Sequence, residues 1–151
     1  MTGSADTAPL PQTPDALDTQ GRRQGPWTDP DPHGGVMVGD YVDGRREGTW
    51  RHYAADGRLR SEGPFRDGEL DGDWTWYRAN GELMQRGGFR RGRKSGVWER
   101  WTAAGRRLDS GAYDGDRKVG DWQTFHPDGT VKAVRHHKPA AGQAAPENPA
   151  G

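Results

Sequence analysis

Histidine and carboxylate side chains are the groups in this sequence that could bind a metal ion or act as a general acid and base. None of the histidines recurs at a regular position, and none has a partner at the spacing of a zinc-binding motif such as His-Glu-x-x-His. We therefore interpret them as surface residues, and we expect no metal ion, no cofactor and no catalytic residue. The histidines are His33, His52, His126, His136 and His137.

Several carboxylate and amide side chains are placed for turn formation rather than for acid–base chemistry. Asp56, Asn80 and Asp128 each precede a glycine, and such pairs tolerate positive φ at both positions of a tight turn. We predict a two-residue type I′ hairpin turn at each pair, with Ala104-Gly105 as a weaker version. Asp43-Gly44 and Asp67-Gly68 are expected to reverse the chain again toward the next repeat.

Composition excludes several other functions. The chain has no Cys, which removes disulfides, zinc–thiolate sites and thiol nucleophiles together. Its 22 basic and 22 acidic residues balance, so no chain-wide positive field would attract nucleic acid. The first residues lack the basic and apolar regions of a signal peptide, and no stretch is long enough to span a membrane. We expect a cytoplasmic protein without a nucleic-acid partner.

Glycines and aromatic residues recur with a period of 24 residues, which is typical of a tandem-repeat architecture. One tryptophan column holds Trp50, Trp74, Trp98 and Trp122. A second aromatic column, three residues later, holds Tyr53, Tyr77, Trp101 and Phe125. A glycine column holds Gly39, Gly63, Gly87 and Gly111, and a third aromatic column holds Tyr41, Phe65, Phe89 and Tyr113. Each repeat is predicted to form two antiparallel strands.

The predicted turns set the strand register. Counting back from Asp56-Gly57 places Trp50 opposite Gly63, with Leu59 and Phe65 on the same face. The same counting places Trp74 over Gly87 and Trp98 over Gly111. We therefore interpret the tryptophan and glycine columns as structural, with each ring shielding a residue that has no side chain.

The second aromatic column falls on the opposite, less buried face. Exposed aromatic residues in a row with Arg suit a partner-binding surface, so we predict that Tyr53, Tyr77, Trp101 and Phe125 contact a partner. Arg86 and its basic neighbours form the local basic cluster. We expect this cluster to pair with the acidic loop 67–73. The alternative is that it contacts an anionic surface. The anion-contacting residues of that alternative are Arg90, Arg91, Arg93 and Lys94.

The predicted fold is all-β, an elongated single antiparallel β-meander of tandem hairpin repeats of about 24 residues. Four to five repeats occupy residues 21–137, and residues 1–20 and 138–151 are predicted to be disordered tails. A first copy from Gly21 is one residue short and carries Pro30 in place of its second aromatic residue, so we interpret it as a degenerate cap.

The segment from Glu62 to Trp74, Glu-Gly-Pro-Phe-Arg-Asp-Gly-Glu-Leu-Asp-Gly-Asp-Trp, resembles the MORN (membrane occupation and recognition nexus) repeat. Trp74 stands where the common MORN unit has a second glycine, and this form is similar to the bacterial variant in YwqK-type antitoxins of toxin–antitoxin systems. The resemblance covers residues 21–135. It implies a single curved antiparallel sheet used for protein contacts and sometimes for lipid contacts.

Three functions remain open from the sequence. The first is a non-catalytic protein-binding module, including an antitoxin or immunity-like partner of a toxin. The second is a cell-wall or glycan-binding module, because tandem Gly/Trp/Tyr hairpins also resemble choline-binding repeats. The third is a peripheral membrane scaffold that uses the basic cluster.

Overall fold

The computed structural model describes residues 10–140 of the chain. These residues contain twelve β-strands and no helix, which confirms the predicted all-β fold class. Among them, accordingly, there is no long apolar helix of the kind that crosses a membrane. They form two compact units that divide between Glu69 and Leu70.

The strands of unit 1 pair antiparallel in chain order. They are β1 (Ala16–Leu17), β2 (Arg23–Pro30), β3 (Val36–Val42), β4 (Arg45–Tyr53) and β5 (Leu59–Arg66). The two-residue strand β6 (Glu69–Leu70) lies at the boundary between the units. Ala16 and Leu17, which the sequence analysis assigned to a tail, pair with Gln24 and Arg23.

The strands of unit 2 are likewise antiparallel and paired in chain order. They are β7 (Gly72–Tyr77), β8 (Leu83–Arg90), β9 (Arg93–Trp101), β10 (Arg107–Asp114), β11 (Arg117–Phe125) and β12 (Val131–His136). Residues 1–9 and 141–151 of the predicted tails lie outside the described residues.

The turns within each repeat differ from the prediction. Of Asp56 and Gly57, only Gly57 has positive φ, at 91°. The N–H of Gly57 donates to the carbonyl of Ala54, and the N–H of Ala54 donates to the carbonyl of Arg58. This pattern is a three-residue loop made of a type I turn and a left-handed glycine, so the predicted two-residue type I′ turn is wrong. The same pattern recurs at residues 78–82, 102–106 and 126–130.

The type I′ turns lie between repeats instead. Asp43 and Gly44 have φ values of 51° and 79°, and Arg91 and Gly92 have values of 51° and 80°. Val42 pairs directly with Arg45 across the first of these turns. The predicted chain reversal at Asp43-Gly44 is confirmed, and this is where the mirror-image turn geometry is used.

The predicted register of the tryptophans is confirmed although the turn is longer. Trp50 pairs with Gly63, because a bulge at Arg60 compensates for the extra loop residue. That bulge places Leu59 opposite Tyr53, so its predicted position on the face of Trp50 is wrong. In unit 2, Trp74 pairs with Gly87 and Trp98 with Gly111, as predicted.

The tryptophan rings, however, cover the glycines of the preceding strand. A Cβ atom added at Gly87 would lie 2.0 Å from the ring of Trp98, and one added at Gly111 would lie 2.1 Å from the ring of Trp122. In unit 1, the ring of Trp50 covers Gly39 in the same way. The predicted covering of Gly87 by Trp74 and of Gly111 by Trp98 is therefore wrong, because each indole leans away from its register partner.

The indole N–H explains the direction of the lean. Trp98 Nε1 donates to the carbonyl of Gly88 at 3.0 Å, and Trp122 Nε1 donates to the carbonyl of Ala112 at 3.0 Å. Each ring thus covers a glycine and satisfies the carbonyl of the next residue. Trp50, Trp74, Trp98 and Trp122 are all buried and form most of the apolar core.

Candidate functional site

Each unit has two chemically different faces. The face that carries the buried tryptophans is called the Trp face, and the opposite face is called the second face. On the Trp face, the third aromatic column alternates with the tryptophans in edge-to-face contacts, for example Tyr113 with Trp98 and Trp122 at centroid distances of 5.7 and 5.0 Å. This aromatic ladder holds neighbouring repeats of a unit together.

A cation column, which the sequence analysis missed, lies over the aromatic ladder. In unit 2, Lys94 Nζ is 4.9 Å from the ring centroids of both Trp98 and Tyr113, and Lys118 Nζ is 4.5 Å from that of Trp122. Arg23 and Arg46 occupy the corresponding places in unit 1. The signal in the sequence is a basic residue four positions before Trp27 and before each residue of the tryptophan column, with Leu70 as the exception.

All four residues of the second aromatic column are half-buried, whereas the tryptophan column is buried. The prediction that the second column lies on the less buried face is consistent with this difference. In unit 2, the guanidinium of Arg86 lies 5.3 Å from the Trp101 ring centroid, and that of Arg107 lies 5.0 Å from the Phe125 centroid. Tyr77 lies in the same unit, and Tyr53 lies in unit 1. Rings stacked with guanidinium groups present both apolar area and charge to solvent.

Glu99 connects the two arginines of this surface. Its carboxylate pairs with Arg86 at 3.0 Å and with Arg107. The hydrogen bond from Arg107 is the main cause that lowers the pKa of Glu99. The carboxylate therefore stays ionised at neutral pH and fixes both guanidinium groups beside their rings.

A shallow cavity of about 340 Å³ adjoins this network in unit 2. Arg86 and Glu99 form part of its wall together with Val97, whose residue surface is 64% exposed. This exposed aliphatic side chain adds apolar area to the second face close to the pair of Arg86 and Glu99. The remaining lining residues are Asp73, Trp74, Thr75 and Gly87.

The residues of the predicted basic cluster do not all lie on one surface. Arg90, Arg91 and Arg93 are exposed around the tight turn between β8 and β9. Lys94 is instead half-buried on the Trp face. The backbone N–H of Arg91 donates to Asp71 at 3.2 Å, so the predicted placement of the acidic loop beside the basic loop holds for this residue.

A second cavity, of about 220 Å³, lies on the Trp face of unit 2. Asp109 at its edge is buried and accepts two hydrogen bonds from Arg100 Nε at 2.9 and 3.2 Å and a further one from Arg100 Nη2. This carboxylate is the main cause that raises the pKa of Arg100. The other lining residues are Gln85, Lys94, Trp98, Tyr113, Lys118 and Trp122.

The histidines do not form a metal centre within residues 10–140, where no group of three potential ligands is found. His52 is half-buried and contacts Asp31 at 2.5 Å, and His136 is exposed and contacts Asp121 at 2.5 Å. A backbone N–H from His33 and then the contact with His52 lower the pKa of Asp31. His52 thus has a specific partner that sequence spacing could not indicate, because His52 lies on β4 and Asp31 lies in the loop between β2 and β3.

Comparison with known proteins supports the repeat assignment. The family model of the MORN repeat variant matches residues 46–67, 70–90 and 118–138. A comparison with curated proteins gives no significant match. The matched segments include three of the four tryptophan-column residues, Trp50, Trp74 and Trp122. MORN repeats are generally non-enzymatic modules for protein interaction, and this chain carries three segments that match their variant form.

Proposed function

We propose that this chain is a non-catalytic repeat module that binds a protein partner on the second face of its sheets. In unit 2 the anchor residues are Tyr77, Trp101 and Phe125. In unit 1 Tyr53 occupies the equivalent position. The stacking of Arg86 on the half-buried ring of Trp101 is the observation that carries this proposal.

Aromatic residues and arginines are the residue types that contribute most to protein–protein binding. Trp101 and Phe125 each have a guanidinium beside the ring, so the rings and cations are already ordered before a partner arrives. Val97 adds exposed apolar area on the same face, in the cavity that Arg86 and Glu99 also line. A surface of this kind, apolar at the rings and charged around them, suits a protein better than a polyanion.

The finer assignment follows the resemblance to YwqK-type antitoxins. We propose that the partner is a cytoplasmic protein that is toxic when it is produced alone, and that binding on the second face neutralises it. The stacked aromatic and guanidinium groups of the second face support this proposal, because they form an ordered surface for a protein partner.

Tagged full-length protein recovered from its source cells tests the proposal when it is compared with matched variants. Trp101→Ala and Phe125→Ala should each lose a stoichiometric partner that the parent chain retains. Thr124→Ala, at an exposed position on β11 next to Phe125 but on the Trp face, is the control and should retain the partner. Equal recovery with all three variants would remove the second face from the interaction. Production of the recovered partner alone then tests toxicity.

The exposed arginines at the turn between β8 and β9 favour one alternative, a peripheral contact with an anionic membrane. Arg90, Arg91 and Arg93 lie around one tight turn and are accessible together. Sedimentation with vesicles of phosphatidylserine and phosphatidylcholine should then be lost at high salt and on substitution of all three arginines by Gln. Sedimentation that persists in the substituted chain would contradict this alternative.

A further inference from the structure

The cation column of unit 1 shows how this fold holds a carboxylate. Asp29 on β2 accepts hydrogen bonds from Arg23 at 3.1 Å, from Arg46 at 3.0 Å and from the Tyr41 hydroxyl at 2.5 Å. Its side chain is only 13% exposed. Two cations that lie over tryptophan rings, together with one tyrosine hydroxyl between them, therefore form a carboxylate site that the chain fills with its own residue.

Unit 2 repeats the cations and the tyrosine of this site. Lys94 lies over Trp98 and Tyr113 as Arg23 lies over Trp27 and Tyr41. The second cation, Lys118, lies over Trp122 as Arg46 lies over Trp50. Tyr113 follows Tyr41 by three repeats and stands between the two cation-bearing strands in the same way.

The register position of Asp29 is occupied by a residue of opposite charge in unit 2. Asp29 pairs with Met37 in the register of β2 and β3, and the equivalent pair on β9 and β10 is Arg100 with Asp109. Asp109 is held by Arg100, so these two charges cancel locally. The position that carries a carboxylate in unit 1 thus carries a cation in unit 2.

The two ammonium groups of unit 2 consequently remain without an ion-pair partner in the part of the chain that the structure describes. Asp116, another nearby acid, accepts the backbone N–H of Lys94 at 2.8 Å rather than its ammonium group. The cavity of about 220 Å³ opens between these groups. It is smaller than the roughly 300 to 1,000 Å³ of sites for drug-sized ligands, and it suits a single inserted side chain.

We propose that this cavity binds an acidic side chain, Asp or Glu, from an extended peptide segment of a protein partner. The carboxylate lies between Lys94 and Lys118 and accepts a hydrogen bond from the Tyr113 hydroxyl, as Asp29 does from Tyr41 in unit 1. The aliphatic stem of the side chain contacts the rings of Trp98 and Trp122. Burial raises the pKa of Tyr113, which keeps its phenol protonated as a donor.

This inference concerns the Trp face and goes beyond the proposed function, which uses the second face. Its failure is distinguishable from the failure of that proposal, because Trp101 and Phe125 are not part of the cavity. The acidic site predicts a preference for a partner segment with carboxylates, whereas the second face predicts anchoring by apolar contacts. Each can be removed by substitutions that leave the other intact.

The experiment uses the full chain and two synthetic peptides with blocked ends, one of alternating Glu and Ser and one of alternating Gln and Ser. Titration of the Glu peptide should shift the indole N–H resonances of Trp98 and Trp122, and the Gln peptide should not. Lys94→Gln with Lys118→Gln should weaken binding of the Glu peptide by about tenfold or more, since two charge-assisted hydrogen bonds are lost. Lys132→Gln on β12 is the matched control and should leave the affinity unchanged.

A second variant recreates the unit 1 arrangement. Arg100→Asp combined with Asp109→Met places a carboxylate at the position of Asp29, where it should occupy the site and abolish binding of the Glu peptide. Tyr113→Phe removes only the hydroxyl and keeps the ring, so it should weaken binding while the spectrum of the folded chain is retained.

Two results would overturn the proposal. Equal binding of the Glu and Gln peptides would show that the cavity does not select a carboxylate. Free glutarate that binds as tightly as the Glu peptide, at equal carboxylate concentration, would show that the site is for a small acid and not for a peptide segment.

Discussion

The ring of Trp98 lies directly over Gly87, so that a Cβ atom at this glycine would be 2.0 Å from a ring carbon. The ring cannot retreat, because its Nε1 donates to the carbonyl of Gly88 and the side chain is buried. We expect Gly87→Ala to lower the free energy of unfolding by about 3 kcal/mol, the upper end of the cost of overpacking a core. Urea unfolding followed by tryptophan fluorescence measures this change.

Gly81→Asn is the control for that substitution. Gly81 has a φ of 84°, but a Cβ atom there would meet nothing within 4 Å. Since Asn tolerates the left-handed region, we expect a loss of less than about 1 kcal/mol. If the two variants unfolded at the same urea concentration, steric exclusion by Trp98 would not be the reason for glycine at position 87.

The repeat columns were sufficient to predict the fold and the register of its tryptophans. The pairing of Trp50 with Gly63 was predicted correctly, although the turn length was not. The extra residue of the turn is compensated by the bulge at Arg60, so the register is unchanged. Pro127 was an available signal for the longer turn. It occupies the second position of the last such turn, where the fixed φ of proline favours type I geometry.

The direction in which the tryptophans lean could not be predicted from spacing. Register places Gly63 opposite Trp50, but the indole N–H donates to the carbonyl of Asp40 and the ring lies over Gly39. The carboxylate network around Asp29 was also missed. The network uses residues from β2, β3 and β4. The first of the repeats involved lacks its second aromatic residue and was therefore interpreted as degenerate. The signal for the network in the sequence was the basic residue four positions before Trp27 and before Trp50.

Arg91 adopts a backbone conformation that most residues avoid. Its φ is 51°, in the left-handed region, and Gly92 follows it in a type I′ turn. Asn-Gly is the pair that this turn favours, so we expect Arg91→Asn to raise the free energy of unfolding by about 1 kcal/mol. Arg93→Asn is the control, because it removes the same charge two residues later, at the start of β9. A gain of equal size in both variants would assign the effect to charge and not to the turn.

Asp29 is the residue on which the cations of unit 1 converge. Asp29→Asn removes the charge that Arg23 and Arg46 share, and we expect a loss of about 2 kcal/mol, since a hydrogen bond to a charged group contributes roughly 1.5 to 3 kcal/mol. The measurement is urea unfolding at neutral pH and low salt. Asp40→Asn, at an exposed position on β3, is the matched control and should change the free energy of unfolding little.

Asp18, in the loop between β1 and β2, should make the stability of the chain depend on acid pH. The backbone N–H of Arg22 donates to its carboxylate at 2.8 Å and is the main cause that lowers its pKa from 3.8 to about 2. Because the folded pKa is the lower one, the stabilisation is complete above pH 3.8 and is lost as the pH falls through about 2. The free energies of unfolding of the parent chain and of Asp18→Asn should therefore differ most above pH 3.8 and converge toward pH 2. A difference that stays constant across this range would mean that the carboxylate is not ionised preferentially in the folded chain, and a titration of the Asp18 carboxyl carbon by NMR would then show an ordinary pKa.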